Sequence, residues 1–307
     1  MTDLVIRALV QDEADELFNS LKDPGLVGRA LLEPPKNQYR TRPAGGDQRA
    51  EWSWVALRDG EVVARVAYWG SEEDTEPVIM EWFAFTDHDA AVRLLRATPY
   101  TCEFELPLPA GWDADPEVCA AAEAQIAAVT EAGYSPLVER LSYTWTPDCG
   151  VPDRPGRLVF REEPDNAVIL ETLRRVHSDT LDAHARQAVA KGGLQLAAEE
   201  ELEFFNWCPS PREWWRLAYT QDGELAGIQV PVHNPSGPAV GFVGVVPEQR
   251  GHGYAYDLLV ECTHQLVDEG AEFISAATDV ANIGMAKAFA RAGYPVLRHR
   301  YCMTYTG

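Results

Sequence analysis

Ala239-Val-Gly-Phe-Val-Gly-Val-Val-Pro-Glu-Gln-Arg-Gly-His-Gly-Tyr-Ala255 reads as an apolar strand that feeds a glycine-bearing turn, which in turn feeds a helix. The helix follows from Ala255, Leu258, Leu259, Cys262 and Leu266, which share one face and stop before Gly270. A strand, turn and helix in this order aim backbone N–H groups and the positive end of the helix dipole at one spot, where a pyrophosphate can sit. Gly251 and Gly253 lack a Cβ, so the turn can curl closely around phosphate oxygens. The spacing is neither GxGxxG nor GxxxxGK[ST], which disfavours nicotinamide dinucleotides and the P-loop.

Downstream, a strand over Glu272 to Thr278 runs through Asp279-Val-Ala-Asn282 into a helix, Ile283 to Tyr294. Upstream, Thr146 to Gly156 holds three prolines and two glycines without any period, which marks a connector. The same order of elements stands on both sides of it. Trp54 to Gly60 followed by Val62, Ala64, Val66 and Tyr68 is a hairpin through Asp59-Gly60, and Leu217 to Gly223 followed by Ala226, Ile228, Val230 and Val232 repeats it. Likewise Glu131-Ala-Gly-Tyr134 and Arg291-Ala-Gly-Tyr294 each lead from a helix into a strand. The expected fold is mixed α/β, with two tandem domains at 1–146 and 157–307, a linker at 147–156, and a central, mostly antiparallel sheet flanked by helices in each. A helix from Pro164 to about Lys191 carries Ile169, Leu173, Val176 and Thr180 at helical spacing and ends or breaks at Gly192-Gly193.

The 307 residues are 46% hydrophobic and 24% charged, ordinary usage for a folded chain. A net charge of −22 repels nucleic acid, so no nucleic-acid partner is expected. The excess of acid is read first as a solubilising surface and second as an attraction for a cationic substrate. The start, MTDLVIRALVQDEADELF, has acids where a signal peptide needs bases, and no apolar run has membrane-spanning length; a cytoplasmic protein with no membrane partner is expected. Six scattered cysteines without a CxxC point to buried hydrophobes in a reducing compartment, with no metal site.

Arg250-x-x-Gly253-x-Ala255 after Val245-x-Pro247 resembles the R/Q-x-x-G-x-G/A acyl-CoA loop of the GNAT superfamily of N-acyltransferases. The Asn282 to Tyr294 segment resembles the same family's N-x-x-(A/M)-x-x-x-(Y/F)-x-x-x-G-(F/Y) element, and the two stand in the family's order. The resemblance implies acetyl transfer from acetyl-CoA to a primary amine of a small molecule, with the C-terminal domain catalytic. By it, Val243, Gly244 and Val245 would pair with the pantetheine arm and polarise the thioester carbonyl. Arg250, Gly251, His252, Gly253, Tyr254 and Ala255 would hold the pyrophosphate, mainly through backbone N–H groups, Asn282 the pantetheine, and Phe289 would pack near the thiol. The first half has no glycine between Gly70 and Gly111, and its matching strand leads into Thr86-Asp-His-Asp89, so it reads as a degenerate copy without coenzyme that walls the acceptor cleft.

An alkylammonium must lose a proton before it can attack. The family's usual carboxylate and tyrosine positions hold Gly241, Phe242 and Phe289, and their absence leaves a non-catalytic acyl-CoA-binding regulator as the alternative. Replacement candidates are Asp279, read first as a helix cap, and His177 and His184, seven residues apart on one expected helix and too far apart to share a metal ion. Glu81, on an otherwise apolar strand, completes the set as a contact for a substrate cation, or else as an edge residue in water.

Overall fold

The computed structural model describes residues 4–307; residues 1–3, part of the acidic start, lie outside the described residues. In chain order the elements are β1 (Leu4–Ala8), α1 (Gln11–Asn19), β2 (Ser53–Arg58), β3 (Glu61–Trp69), β4 (Ile79–Phe85), α2 (His88–Ala97), β5 (Glu103–Pro109), α3 (Pro116–Glu131) and β6 (Tyr134–Trp145). There follow β7 (Leu158–Glu162), α4 (Asn166–His177), α5 (Ala183–Trp207), β8 (Arg216–Thr220), β9 (Leu225–Asn234), β10 (Gly237–Val245), α6 (Tyr254–Asp268), β11 (Ile274–Asp279), α7 (Ile283–Arg291) and β12 (Val296–Tyr305). Among the described residues no helix is long and apolar enough to cross a membrane.

Two compact units divide the chain. One is Met1–Glu139 with Arg298–Gly307, the other Arg140–Leu297. The first unit has the strand order β1-β2-β3-β4-β5-β12 and the second β7-β8-β9-β10-β11-β6. The two orders match position for position, with one parallel pair in each, β4 with β5 and β10 with β11. The units differ from the halves expected at 1–146 and 157–307, because the last strand of each sheet comes from the other half of the sequence. β12 pairs with β5 through Arg298 to Met303, and β6 gives Arg140 to Trp145 to β11. Residues 147–156 therefore lie inside the second unit and are no boundary.

Local chemistry explains the elements. Asp59 and Gly60 both adopt positive φ (54° and 86°), the geometry that lets a two-residue turn follow the strand twist of β2 and β3. The single helix expected from Pro164 to Lys191 is two. Ser178 leaves α4 in extended conformation, Asp179 turns left-handed (φ 55°), and the Asp182 carboxylate caps α5 by accepting from the Ala185 amide at 2.9 Å. Gly192 and Gly193 then break α5 into two helical segments, as expected. Each unit closes on its own apolar core: Tyr68, Met80, Leu94, Phe104 and Leu106 in the first, Trp145, Ile169, Phe205, Ile228 and Phe289 in the second.

Two glycines shape the strand that matters most. Gly241 is the extra residue of a bulge in β10, where the register with β9 shifts between Val240 and Phe242. Beyond the bulge, Phe242 and Gly244 face α4 and α5, while Val243 and Val245 pack with Leu158, Ala218, Ala226 and Leu258 on the opposite face. On β9, a Cβ at Gly227 would lie 2.1 Å from the Gly244 carbonyl oxygen. Gly227→Ala must therefore push β9 from β10, at a cost of about 1–3 kcal/mol. Urea denaturation should show the midpoint falling; an unchanged midpoint would contradict this packing.

Candidate active site

The site begins where β10 and β11 part. They pair in parallel at Ala239 and Ser275 alone, although β10 runs on to Val245. The Val246 amide donates to the Ala226 carbonyl of β9 at 3.0 Å. Backbone polar groups alternate sides along a strand, so the amides of Val243 and Val245 point away from β9, toward the opening beside β11. An extended ligand arm laid there can pair with them as an added strand would.

At the end of β10, Pro247 to Gln249 form a short helical turn and the chain then reaches α6. Gly251 (φ 85°) and Gly253 (φ 76°) are left-handed, which a Cβ would oppose. No side chain caps α6, and the amides of Gly253, Tyr254 and Ala255 donate to no acceptor among the described residues. A Cβ built on Gly251 meets nothing within 4 Å, and on Gly253 only the Arg157 guanidinium at 3.7 Å. Open donors, a helix N-terminus and free space over the turn together fit a pyrophosphate.

The cradle is braced by two arginines. Arg250 does not offer its guanidinium to a phosphate. It donates to the carbonyls of Val176 (2.7 Å), Ser178 (3.0 Å), Asp179 (3.1 Å) and Val245 (3.3 Å), tying the end of α4 to the end of β10. Arg157, which the sequence reading missed, donates to the carbonyls of His252 (2.9 Å) and Gly253 (3.3 Å) and grips the buried Asp257 carboxylate through Nε at 3.0 Å. Its guanidinium also lies over the Tyr254 ring, which stacks with His252. Because their carbonyls face Arg157, the residues of the turn keep their amides for a ligand.

The remaining expected residues separate. Asn282 caps α7, accepting from the Met285 amide at 3.2 Å. Phe289 does not reach a ligand: it is 1% exposed and stacks on Tyr143 at 4.3 Å in the core. Asp279, 1% exposed, caps a helix other than its own neighbour, accepting from the Ala183 amide of α5 at 2.7 Å and facing Arg140 Nε at 3.2 Å. Burial, and then the nearby Asp182, hold its carboxyl above the usual range. His177 ends α4 and His184 lies in the first turn of α5, so the two stand on separate helices and not on the single helix expected. Glu81 belongs to the first unit, where β4 is an inner strand and no edge. Its carboxylate pairs with Arg29 at 2.8 Å and accepts from Gln48 at 3.3 Å, so its cation is supplied by the chain itself.

One acidic residue outside the expected set joins this site. Glu201, in the second segment of α5, lies 4.0 Å from His177. The helical period places it on the buried face with Ala197, Ala198, Leu202 and Phe205, a signal hidden in the run Glu199-Glu200-Glu201-Leu202-Glu203.

The first unit lacks a cradle at the matching place. There the Asp87 carboxylate caps α2, accepting from the Ala90 amide at 3.0 Å and pairing with Arg58 at 2.5 Å. An internal anion already occupies that helix N-terminus.

Comparison with known proteins agrees with this geometry. The model of the acetyltransferase (GNAT) family matches residues 182–294. A GCN5-related N-acetyltransferase from Sphaerobacter thermophilus shares 14% identity over 98% of this chain and 94% of its own, with a TM-score of 0.56. A glucosamine N-acetyltransferase region of a fungal multi-domain GH3 β-N-acetylglucosaminidase is 13% identical over 99% of this chain and 38% of that one, with a TM-score of 0.51. A tandem GNAT protein from the clavulanic acid biosynthesis pathway shares 17% identity over 82% of this chain and 81% of its own, with a TM-score of 0.46. No curated protein matches the sequence. The strand, turn and helix of the cradle lie inside the segment that matches the acetyltransferase (GNAT) family, and the chain shares its fold with the Sphaerobacter protein.

Proposed function

We propose that the second unit transfers an acetyl group from acetyl-CoA to a primary amine of a small molecule, and that the first unit binds no coenzyme. The observation that carries this reading is the conjunction of an uncapped α6 N-terminus with the unpaired edge of β10. Acetyl-CoA would supply the activated acyl group as a thioester, and the chain supplies position and charge. Amides at Gly253, Tyr254 and Ala255 hold the pyrophosphate; those at Val243 and Val245 orient the pantetheine and polarise the thioester carbonyl. Asn282 and Phe289, given a ligand role by resemblance, serve here as a cap and as core. Asp87 supports the silence of the first unit, since a phosphate placed at α2 would meet a carboxylate.

The test is acetyl transfer to a panel of amino acids, polyamines and aminoglycosides, read as free thiol released. The expected result is turnover of at least one amine. Binding of acetyl-CoA without turnover across the panel would overturn the amine acceptor.

A further inference from the structure

Most buried polar atoms of this unit have partners, and His177 is the exception that bears on chemistry. It is 3% exposed, and among the described residues neither ring nitrogen has a hydrogen-bond partner. An orphaned imidazole in a core is costly, and such groups persist at sites that gain a partner during function. Its ring lies against Phe242, the residue that the β10 bulge turns toward α4 and α5. Phe205, one helical turn after Glu201, touches the same ring at 5.7 Å. A Cβ on Gly244 would come within 2.5 Å of Val176, which shows how closely the end of α4 approaches the open stretch of β10. His177 and Glu201 thus stand together beside the strand on which the thioester is placed.

We propose that Glu201, held 4.0 Å from His177 beside Phe242, is the group that takes the proton from the ammonium of the acceptor. The inference rests on the acetyl-transfer reading above. Glu201 keeps 23% of its side-chain exposure, so an amine can reach it from solvent. Enough protein surrounds the carboxyl that burial pushes it up to about 8. Two charged groups face it from other segments, Asp182 ahead of α5, which raises it further, and Arg140 on β6, which lowers it. Arg140 is already shared between Asp182 (3.4 Å) and Asp279 (3.2 Å), so its charge is divided before it reaches Glu201. Burial lowers the His177 imidazole, opposed by Asp182, and keeps it a neutral acceptor. A base that titrates near the working pH is the efficient kind.

The balance is simple. The Glu201 carboxylate removes one proton from the ammonium, and the resulting carboxylic acid donates to His177 Nε2. The freed amine attacks the thioester carbon, a C–N bond forms and the C–S bond breaks. The second nitrogen proton goes to the departing thiolate, and Glu201 returns its proton to water.

The test compares two acceptors in the full chain: the best primary amine from the panel, and hydroxylamine, which is already unprotonated at neutral pH and needs no base. Glu201→Gln is expected to lower kcat about 100-fold or more with the alkylamine, and to leave hydroxylamine turnover and the KM for acetyl-CoA nearly unchanged. The acidic limb of the pH profile, the rise through about 8 as the base ionises, should vanish with it. His177→Leu removes the acceptor that favours the protonated acid, so that limb should move to lower pH. Equal losses on both acceptors, or an intact limb in Glu201→Gln, would overturn the proposal. A wild-type chain that acetylates neither acceptor would overturn the transfer reading, and this one with it.

Folding is checked by melting. A carboxyl raised from 4.5 to about 8 favours the folded state fully below pH 4.5, and that contribution is lost as pH rises through 8. Glu201→Gln should therefore melt several degrees above wild type at alkaline pH and alongside it in acid. A lower melting point at alkaline pH would contradict the buried acid.

Discussion

Gly253→Asp is expected to weaken acetyl-CoA binding by at least about 100-fold, equivalent to about 2.7 kcal/mol. The reason is electrostatic and does not depend on unfolding the turn. Gly253 precedes α6 with φ 76°, a conformation that costs a residue with a Cβ about 1–2 kcal/mol and that Asp tolerates better than most. The new carboxylate would cap α6, recovering about 1 kcal/mol. It would also fill the place proposed for the pyrophosphate, reproducing in the second unit what Asp87 does at α2 in the first. Binding measured by equilibrium dialysis and melting measured by circular dichroism separate the two effects. Lost affinity with a preserved melting point is the expected pair. An affinity within a factor of about three of wild type would show that the phosphates sit elsewhere.

The second large effect lies in the brace. Arg250→Ala leaves four carbonyls without their shared donor, at Val176, Ser178, Asp179 and Val245. Hydrogen bonds from a charged group contribute about 1.5–3 kcal/mol, and part of the loss is made good by water, so a net fall of about 3 kcal/mol is expected. Arg250→Lys should recover little, because one ammonium cannot span carbonyls that a planar fork meets together. Urea denaturation of the three proteins gives the comparison. The same substitution frees the end of α4, so turnover with alkylamines should fall further than acetyl-CoA affinity. An Arg250→Ala protein as stable as wild type would remove the brace from the account.

Much of this architecture was legible where a residue type leaves one local solution. Asp59-Gly60 demanded a tight hairpin, and Gly251 and Gly253 a close turn before a helix; both are present, the second in left-handed conformation. The break between α4 and α5 was not legible from periodicity, because Thr180 continues the apolar spacing of Val176 and only the turn chemistry of Ser178-Asp179 opposes it. The exchange of β6 and β12 was equally out of reach. Strand character can be read from alternation along one segment, but its partner is set by distant chain. Within the site, the strand and the cradle followed from the glycines, whereas the side-chain roles did not. Arg250 was placed in the phosphate loop without a role for its guanidinium, which is a brace, Phe289 was expected near the thiol and is core, and Glu201 was concealed among neighbouring acids.

On the proposed reading, the N-terminus of α6 accepts a pyrophosphate and its counterpart at α2 does not. Isothermal titration of acetyl-CoA into the full-length protein tests it directly. The expected result is a single saturable binding event of one coenzyme per chain, abolished by Gly253→Asp and untouched by Asp87→Asn. No heat of binding, or two equivalents bound per chain, would contradict it.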